Sequence, residues 1–152
     1  GMRQISSIVL TVIASAAVQT GMSMSSQAQV PASPEQRWTL VRFETETGAV
    51  PLAEATEITA EFTGDGVSGN GGCNRYTGSV TVDGNSLTTG PIAATRRACP
   101  PPVSDQEFRY FEALGASERY SFSPDGELLI EYRTDNGSGT LVYTPQAVRA
   151  LW

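Results

Sequence analysis

Two cysteines, Cys73 and Cys99, and three arginines near them, Arg75, Arg96 and Arg97, are the residues of this chain best placed to do chemistry. Thiols can carry redox reactions or hold a metal. Grouped guanidinium ions can receive a carboxylate, a phosphate or a sugar acid through planar, paired hydrogen bonds. The residues that are missing narrow the options. The chain has no histidine and no lysine; every basic residue is an arginine. That removes a Ser-His-Asp triad, a Cys-His pair, an imidazole metal site and a Schiff-base lysine. No Cys-x-x-Cys occurs, and no histidine is present to lower a thiol pKa, so thiol redox catalysis is disfavoured. Zinc would need further ligands of suitable type. Glu44 with Glu46, Glu54 with Glu57, and Asp125 with Glu127 lie in loops, at turns or at strand edges, where solvated carboxylates are expected; no acid–base pair is assigned. Asp135-Asn136-Gly137 lacks the spacing of a calcium loop. Asn136-Gly137-Ser138 is a formal glycosylation acceptor, a short and commonplace match. No catalytic residue, cofactor or metal is expected.

The chain of 152 residues is long enough for one domain with its own core, and 39% apolar residues are enough to fold it. A formal net charge of −6 argues against binding nucleic acid through its phosphates, which takes a basic face. The start of the chain reads as a secretory leader. Met2-Arg3 is basic, Ile5 to Val18 is mostly apolar, and Ser26-Gln27-Ala28 places small residues where a signal peptidase reads them. Residues 1–28 are therefore expected to be removed on export to a periplasmic or extracellular compartment. The apolar run is shorter than the roughly 20 residues of a membrane span, and no cysteine near the cleavage point offers a lipid anchor. The alternative is an ordinary N-terminal helix packed on the domain. In an oxidising compartment two cysteines most simply form one disulfide. Closing a loop of roughly 25 residues is worth about 3–4 kcal/mol in the chain-entropy model.

The elements that would position these residues are mostly short strands. Residues 29–36 contain Pro31 and Pro34 and read as a linker. Trp38 to Phe43 and Ile58 to Phe62 alternate as strands, with Glu44 to Pro51 a loop between them. Gly64-Asp65-Gly66 and Asp83-Gly84-Asn85 are hairpin turns. Arg75 to Val82 is a strand, and Gly90-Pro91 breaks the one after it. Thr95 to Val103, with Pro100, Pro101 and Pro102, is expected to be irregular. Ser104 is a good N-cap and Glu107 completes a capping box, so a helix is predicted over 104–114, with Phe108, Phe111 and Leu114 as its apolar stripe and Asp105 and Glu107 in its first turn. Arg119 to Ser123, Leu128 to Tyr132 and Thr140 to Tyr143 are further strands, with Thr134 to Gly139 a loop. Residues 146–152 are a tail, with a terminal turn of helix.

Gly72-Cys73-Asn74-Arg75-Tyr76-Thr77-Gly78, followed by Ile92-Ala93-Ala94-Thr95-Arg96-Arg97-Ala98-Cys99-Pro100, resembles the META domain family of HslJ-like heat-shock proteins. The paired Gly-Cys-Asn and Thr-x-x-x-Cys-Pro patterns carry the likeness, on Gly72, Cys73, Asn74, Tyr76, Gly78, Thr95, Cys99 and Pro100. It extends over about 37–145, with Trp38-Thr39-Leu40 like the opening strand and Leu128-Leu129-Ile130 like a closing one. The resemblance implies a mainly β (α+β) fold: an antiparallel, partly closed, lipocalin-like barrel with one packed helix. It implies a binding or stress-protection role rather than a reaction.

Within that frame Arg75, Arg96 and Arg97 would cluster round the disulfide. They are expected to pair with surface carboxylates of the same domain, an anion site being the functional alternative. Asn74 is expected as a turn residue, tolerant of left-handed backbone, rather than a ligand. Trp38, Phe43, Phe62, Tyr76, Phe108, Phe111, Tyr120, Phe122, Tyr132 and Tyr143 are expected to fill the barrel rather than line a cavity for an apolar ligand. The expected partner is an unidentified protein or small molecule, with no nucleic acid and no stable membrane anchor once the leader is gone, and the expected state is a monomer.

Overall fold

The computed structural model describes residues 36–146. The expected leader, almost all of the linker and the expected terminal helical turn lie outside the described residues. The elements follow in the order β1 (Arg37–Thr45), β2 (Gly48–Pro51), β3 (Thr59–Thr63), β4 (Gly66–Asn70), β5 (Arg75–Asp83), β6 (Ser86–Thr89), β7 (Ala93–Ala94), α1 (Pro101–Gly115), β8 (Ser117–Phe122), β9 (Leu128–Thr134) and β10 (Gly137–Gln146).

Eight strands close into an antiparallel barrel in the order β1-β3-β4-β5-β6-β8-β9-β10, with β10 returning to β1. The closing seam is long, from Arg37 opposite Gln146 to Thr45 opposite Gly139. The join of β6 to β8 is thin: Ser86 faces Arg119, and the Tyr120 N–H reaches the Asn85 carbonyl at 3.0 Å. β2 and β7 are side strands, on β1 and β5 respectively.

Alternation along β1 puts Trp38 and Leu40 inside, and the register slips between Leu40 and Arg42. That one-residue bulge returns Phe43 to the interior and leaves Val41 outside. Two expected loops prove to be hairpins. Glu44 to Pro51 carries the end of β1 and all of β2, and Thr134 to Gly139 is a tight turn at Asp135-Asn136. Both stretches are polar, so hydrophobic alternation gives no strand signal there; backbone pairing to neighbouring strands holds them.

The helix departs most from expectation. It begins at Pro101, with Pro100 as N-cap and no side-chain cap. Prolines suit a first helical turn, where the N–H groups have no intrahelical acceptor and the ring holds φ near the helical value. Ser104 therefore lies inside the helix, and Asp105 and Glu107 fall in its second turn. The inward face is Glu107, Tyr110, Ala113 and Leu114. Phe108 points out, 71% exposed.

Buried side chains pack together in the interior. Trp38, Leu40, Phe43, Phe62, Tyr76, Leu87, Ile130 and Tyr143 form one cluster with Tyr110 and Leu114 of α1. Each such burial contributes roughly 1.5–3 kcal/mol. No helix among the described residues is long and apolar enough to cross a membrane.

Candidate functional site

Cys73 and Cys99 are joined in a disulfide, with Cα atoms 6.2 Å apart. It ties the turn before β5 to the entry of α1. Beside it lies the centre of the Gly-Cys-Asn motif. Glu107 Oε2 accepts the backbone N–H of Asn74 at 2.6 Å and that of Cys73 at 3.1 Å. Glu107 Oε1 accepts the Asn74 side-chain amide at 2.8 Å. Asn74 Oδ1 in turn accepts the Arg97 N–H at 2.6 Å and the Thr95 hydroxyl at 2.9 Å. Asn74 and Glu107 are both buried. Three charge-assisted donors offset the cost of burying the carboxylate.

Asn74 lies in the bend before β5 and is a buried hub there, and its backbone does not take the left-handed conformation that it could tolerate. That conformation falls to Gly72, at φ +114°. A Cβ at Gly71 would stand 2.7 Å from the Phe111 ring and 2.8 Å from Glu107 Oε2, so glycine there lets α1 approach the motif. The capping-box role expected of Glu107 does not arise, because its carboxylate serves Cys73 and Asn74.

A second buried polar line crosses the core. Tyr76 donates its hydroxyl to the Thr59 carbonyl at 2.7 Å, and its oxygen lies 2.9 Å from the Tyr110 hydroxyl. Tyr110 and Tyr143 hydroxyls are 2.8 Å apart. Each phenol has one hydrogen, so with Tyr76 bound to Thr59 the order follows: Tyr110 donates to Tyr76, and Tyr143 to Tyr110. Burial drives all three phenols well above their ordinary pKa. They are neutral structural groups. Sequence reading passed over Tyr110; its placement four residues before Leu114 and three after Glu107 is the signal that marks it.

Arg75, Arg96 and Arg97 are all exposed. They make no ion pair among the described residues, contrary to expectation. The pairs that do form are Arg37–Glu61, Arg42–Glu44, Arg119–Glu131 and Arg133–Glu118. Main-chain bonds bring the three arginines to adjoining segments. The Thr95 N–H reaches the Arg75 carbonyl at 3.1 Å, and the Arg97 N–H meets Asn74 as above.

A concavity among the described residues lies beside the helix. A groove of about 660 Å³ runs between α1 and the turns of the β1–β2 and β9–β10 hairpins. Val50, Ala113 and Tyr132 give it an apolar floor, with Phe108 at its rim; Glu46, Asp105, Glu112 and Arg109 give it charge. Arg109 lies over the Phe43 ring at 5.6 Å. Glu46 accepts the Ser138 hydroxyl at 2.9 Å, and Glu112 the Asn136 amide at 3.3 Å. Burial raises the Tyr132 phenol, with Arg109 opposing and Glu112 adding to the shift. Among the described residues no group of His, Cys, Asp and Glu is placed to hold a metal ion. The groove is equipped to bind an apolar body flanked by donors.

Comparison with known proteins agrees with this architecture. The family model for the META domain matches residues 31–147. A protein from Burkholderia xenovorans, solved by NMR, is 24% identical with a TM-score of 0.59, over 82% of this chain and 95% of its own. A second NMR structure is 22% identical with a TM-score of 0.52, over 73% of this chain and 89% of its own. These likenesses show a shared fold. No curated protein matches the chain. With the paired Gly-Cys-Asn and Thr-x-x-x-Cys-Pro segments bound together beside one disulfide on a closed barrel, the chain belongs to the META domain family.

Proposed function

We propose that this chain is an exported, non-catalytic binding module of the envelope or extracellular space, in a stress-protection setting, and that it meets its partner on the groove beside Phe108. The observation that carries this is Phe108 itself. It stands 71% exposed on a helix whose opposite face, at Tyr110 and Leu114, is fully buried. A large aromatic side chain on the rim of a concavity is the type of residue that anchors interfaces. The motif residues support a non-catalytic role, because Cys73, Asn74, Thr95, Cys99 and Glu107 are engaged in holding the fold. The aromatic and aliphatic cluster packed inside the barrel supports the outer groove over a carrier's cavity.

The test uses the full chain expressed from its own leader in a Gram-negative host. The expected product is periplasmic, shortened at its N-terminus and resistant to alkylation until reduced. A photo-crosslinking residue at position 108 is expected to give discrete adducts with envelope components. The same residue at Phe122, the other exposed phenylalanine, should give only background. Retention in the cytoplasm with free thiols would overturn the export reading. Equal labelling from both positions would overturn the groove.

A further inference from the structure

The three unpaired arginines lie on a part of the chain almost empty of carboxylates. Between Asp65 and Asp105 the single acidic residue is Asp83, while all the basic residues are Arg75, Arg96 and Arg97. Asp83 sits at the far end of β5, eight residues from Arg75, or about 26 Å along an extended strand. Glu107, the carboxylate bonded to this segment, is buried, and both its oxygens are taken by Cys73 and Asn74. Of the other arginines among the described residues, four are in ion pairs and Arg109 rests on Phe43. On a protein of net charge −6, the exposed Arg75, Arg96 and Arg97 form a basic surface outside the ion pairs of the described residues.

The same surface carries an open strand edge. β7 pairs only with β5, through Tyr76 opposite Ala94 and Thr77 opposite Ala93. From Ala93 to Ala98 every residue is exposed. Small side chains at 93, 94 and 98 leave the backbone accessible to a further strand, and an unpaired edge is a template for one. A second copy of this chain is a poor occupant, because edge-to-edge pairing would set Arg96 and Arg97 against their equivalents. An acidic strand has the opposite sign. It would lie beside Arg96 and Arg97, and about 10 Å from β5 across β7, a gap that arginine and glutamate side chains together bridge to Arg75.

We infer that the outer edge of β7, with Arg75, Arg96 and Arg97, is a docking surface for an extended, acidic segment of a partner protein, added as a strand. The inference stands apart from the groove on α1, which lies on other residues.

The probe is a capped peptide of alternating glutamate and threonine, titrated into the oxidised, ¹⁵N-labelled protein. Saturable amide shifts are expected at Ala93 to Ala98 and Arg75, with slowed amide exchange on β7. Reversing all three charges (Arg75→Glu, Arg96→Glu, Arg97→Glu) should weaken binding by about tenfold or more, as should raised salt. These side chains are exposed, so the fold is retained. A lysine–threonine peptide should then bind the reversed variant, a swap that a merely damaged protein would not show. Unchanged affinity after charge reversal would overturn the proposal. So would shifts confined to the groove, or equal shifts from inorganic phosphate, which would leave a simple anion site. Sedimentation with anionic phosphatidylglycerol vesicles and no response to the peptide would assign the patch to membranes instead.

Discussion

Asn74 and Glu107, 33 residues apart in sequence, meet twice: the Asn74 backbone N–H on one carboxylate oxygen and its side-chain amide on the other. This contact docks α1 on the motif, and the Arg97 N–H and the Thr95 hydroxyl on Asn74 Oδ1 bring in the second half of the motif. Glu107→Gln replaces one acceptor oxygen with an NH₂ that faces donors. It should cost about 2–3 kcal/mol, and Asn74→Ala, which strands three partners, about 2–4 kcal/mol. Urea unfolding of the oxidised protein measures both. A Glu107→Gln change within about 0.5 kcal/mol of wild type would mean the carboxylate is dispensable.

The tyrosine line makes an ordering prediction. Tyr110→Phe removes the acceptor of Tyr143 and the donor to Tyr76, leaving a buried hydroxyl with its hydrogen unplaced, at about 1–3 kcal/mol. Tyr143→Phe removes only the terminal donor and should cost about 1 kcal/mol or less. The reverse order of costs would contradict this order of hydrogens.

These phenols also set the alkaline limit. Their folded pKa values are raised by burial, so the folded state holds its protons more tightly than the unfolded chain. Stability from this source is complete below about pH 10, the unfolded value. It then falls as pH rises toward the folded values, by up to about 1.4 kcal/mol per pH unit for each tyrosine. Tyrosinate absorbance at 295 nm should therefore rise together with loss of structure, in one cooperative step for Tyr76, Tyr110 and Tyr143. Ionisation of all the tyrosines ahead of unfolding would contradict this burial.

The Cys73–Cys99 bond spans 26 residues. Its removal by Cys73→Ala with Cys99→Ala should lower stability by about 3–4 kcal/mol through the freed unfolded chain. The barrel should persist, because its closing seam of β1 on β10 lies elsewhere. Thermal unfolding of the two forms, with circular dichroism of the folded baselines, reads both parts.

The two sides of α1 should respond in opposite ways. Leu114→Ala, in the core, should cost about 2–5 kcal/mol. Phe108→Ala should change stability by less than about 0.5 kcal/mol, while weakening adducts from a photo-crosslinking residue placed at Asp105, also on the groove. A large loss at Phe108 would make it part of the core and remove the case for the groove.

Much of the barrel was legible because its strands announce themselves locally. Trp38 to Phe43, Arg75 to Val82 and Leu128 to Tyr132 alternate or carry β-formers. Gly64-Asp65-Gly66 and Asp83-Gly84-Asn85 punctuate them with turn chemistry. The likeness of the Cys73 and Cys99 segments pointed to one barrel, and the disulfide is found between those two residues. The polar β2 and the start of β10 were not legible, because their strand character comes from pairing with β1 and β9 rather than from burial.

The sequence by itself determined the excluded chemistries, through absent histidine and lysine, and the family, through two motifs of fixed order. The tertiary structure decided which face of α1 is buried. Phe108 and Tyr110 are both aromatic, and helical spacing alone suits either. Only docking against Gly71, Asn74 and Tyr143 turns Tyr110 inward, with Glu107 one turn before it. Partners distant in sequence supply the donors and acceptors that make burial of a carboxylate and three phenols tolerable, and no local pattern encodes where those partners will stand.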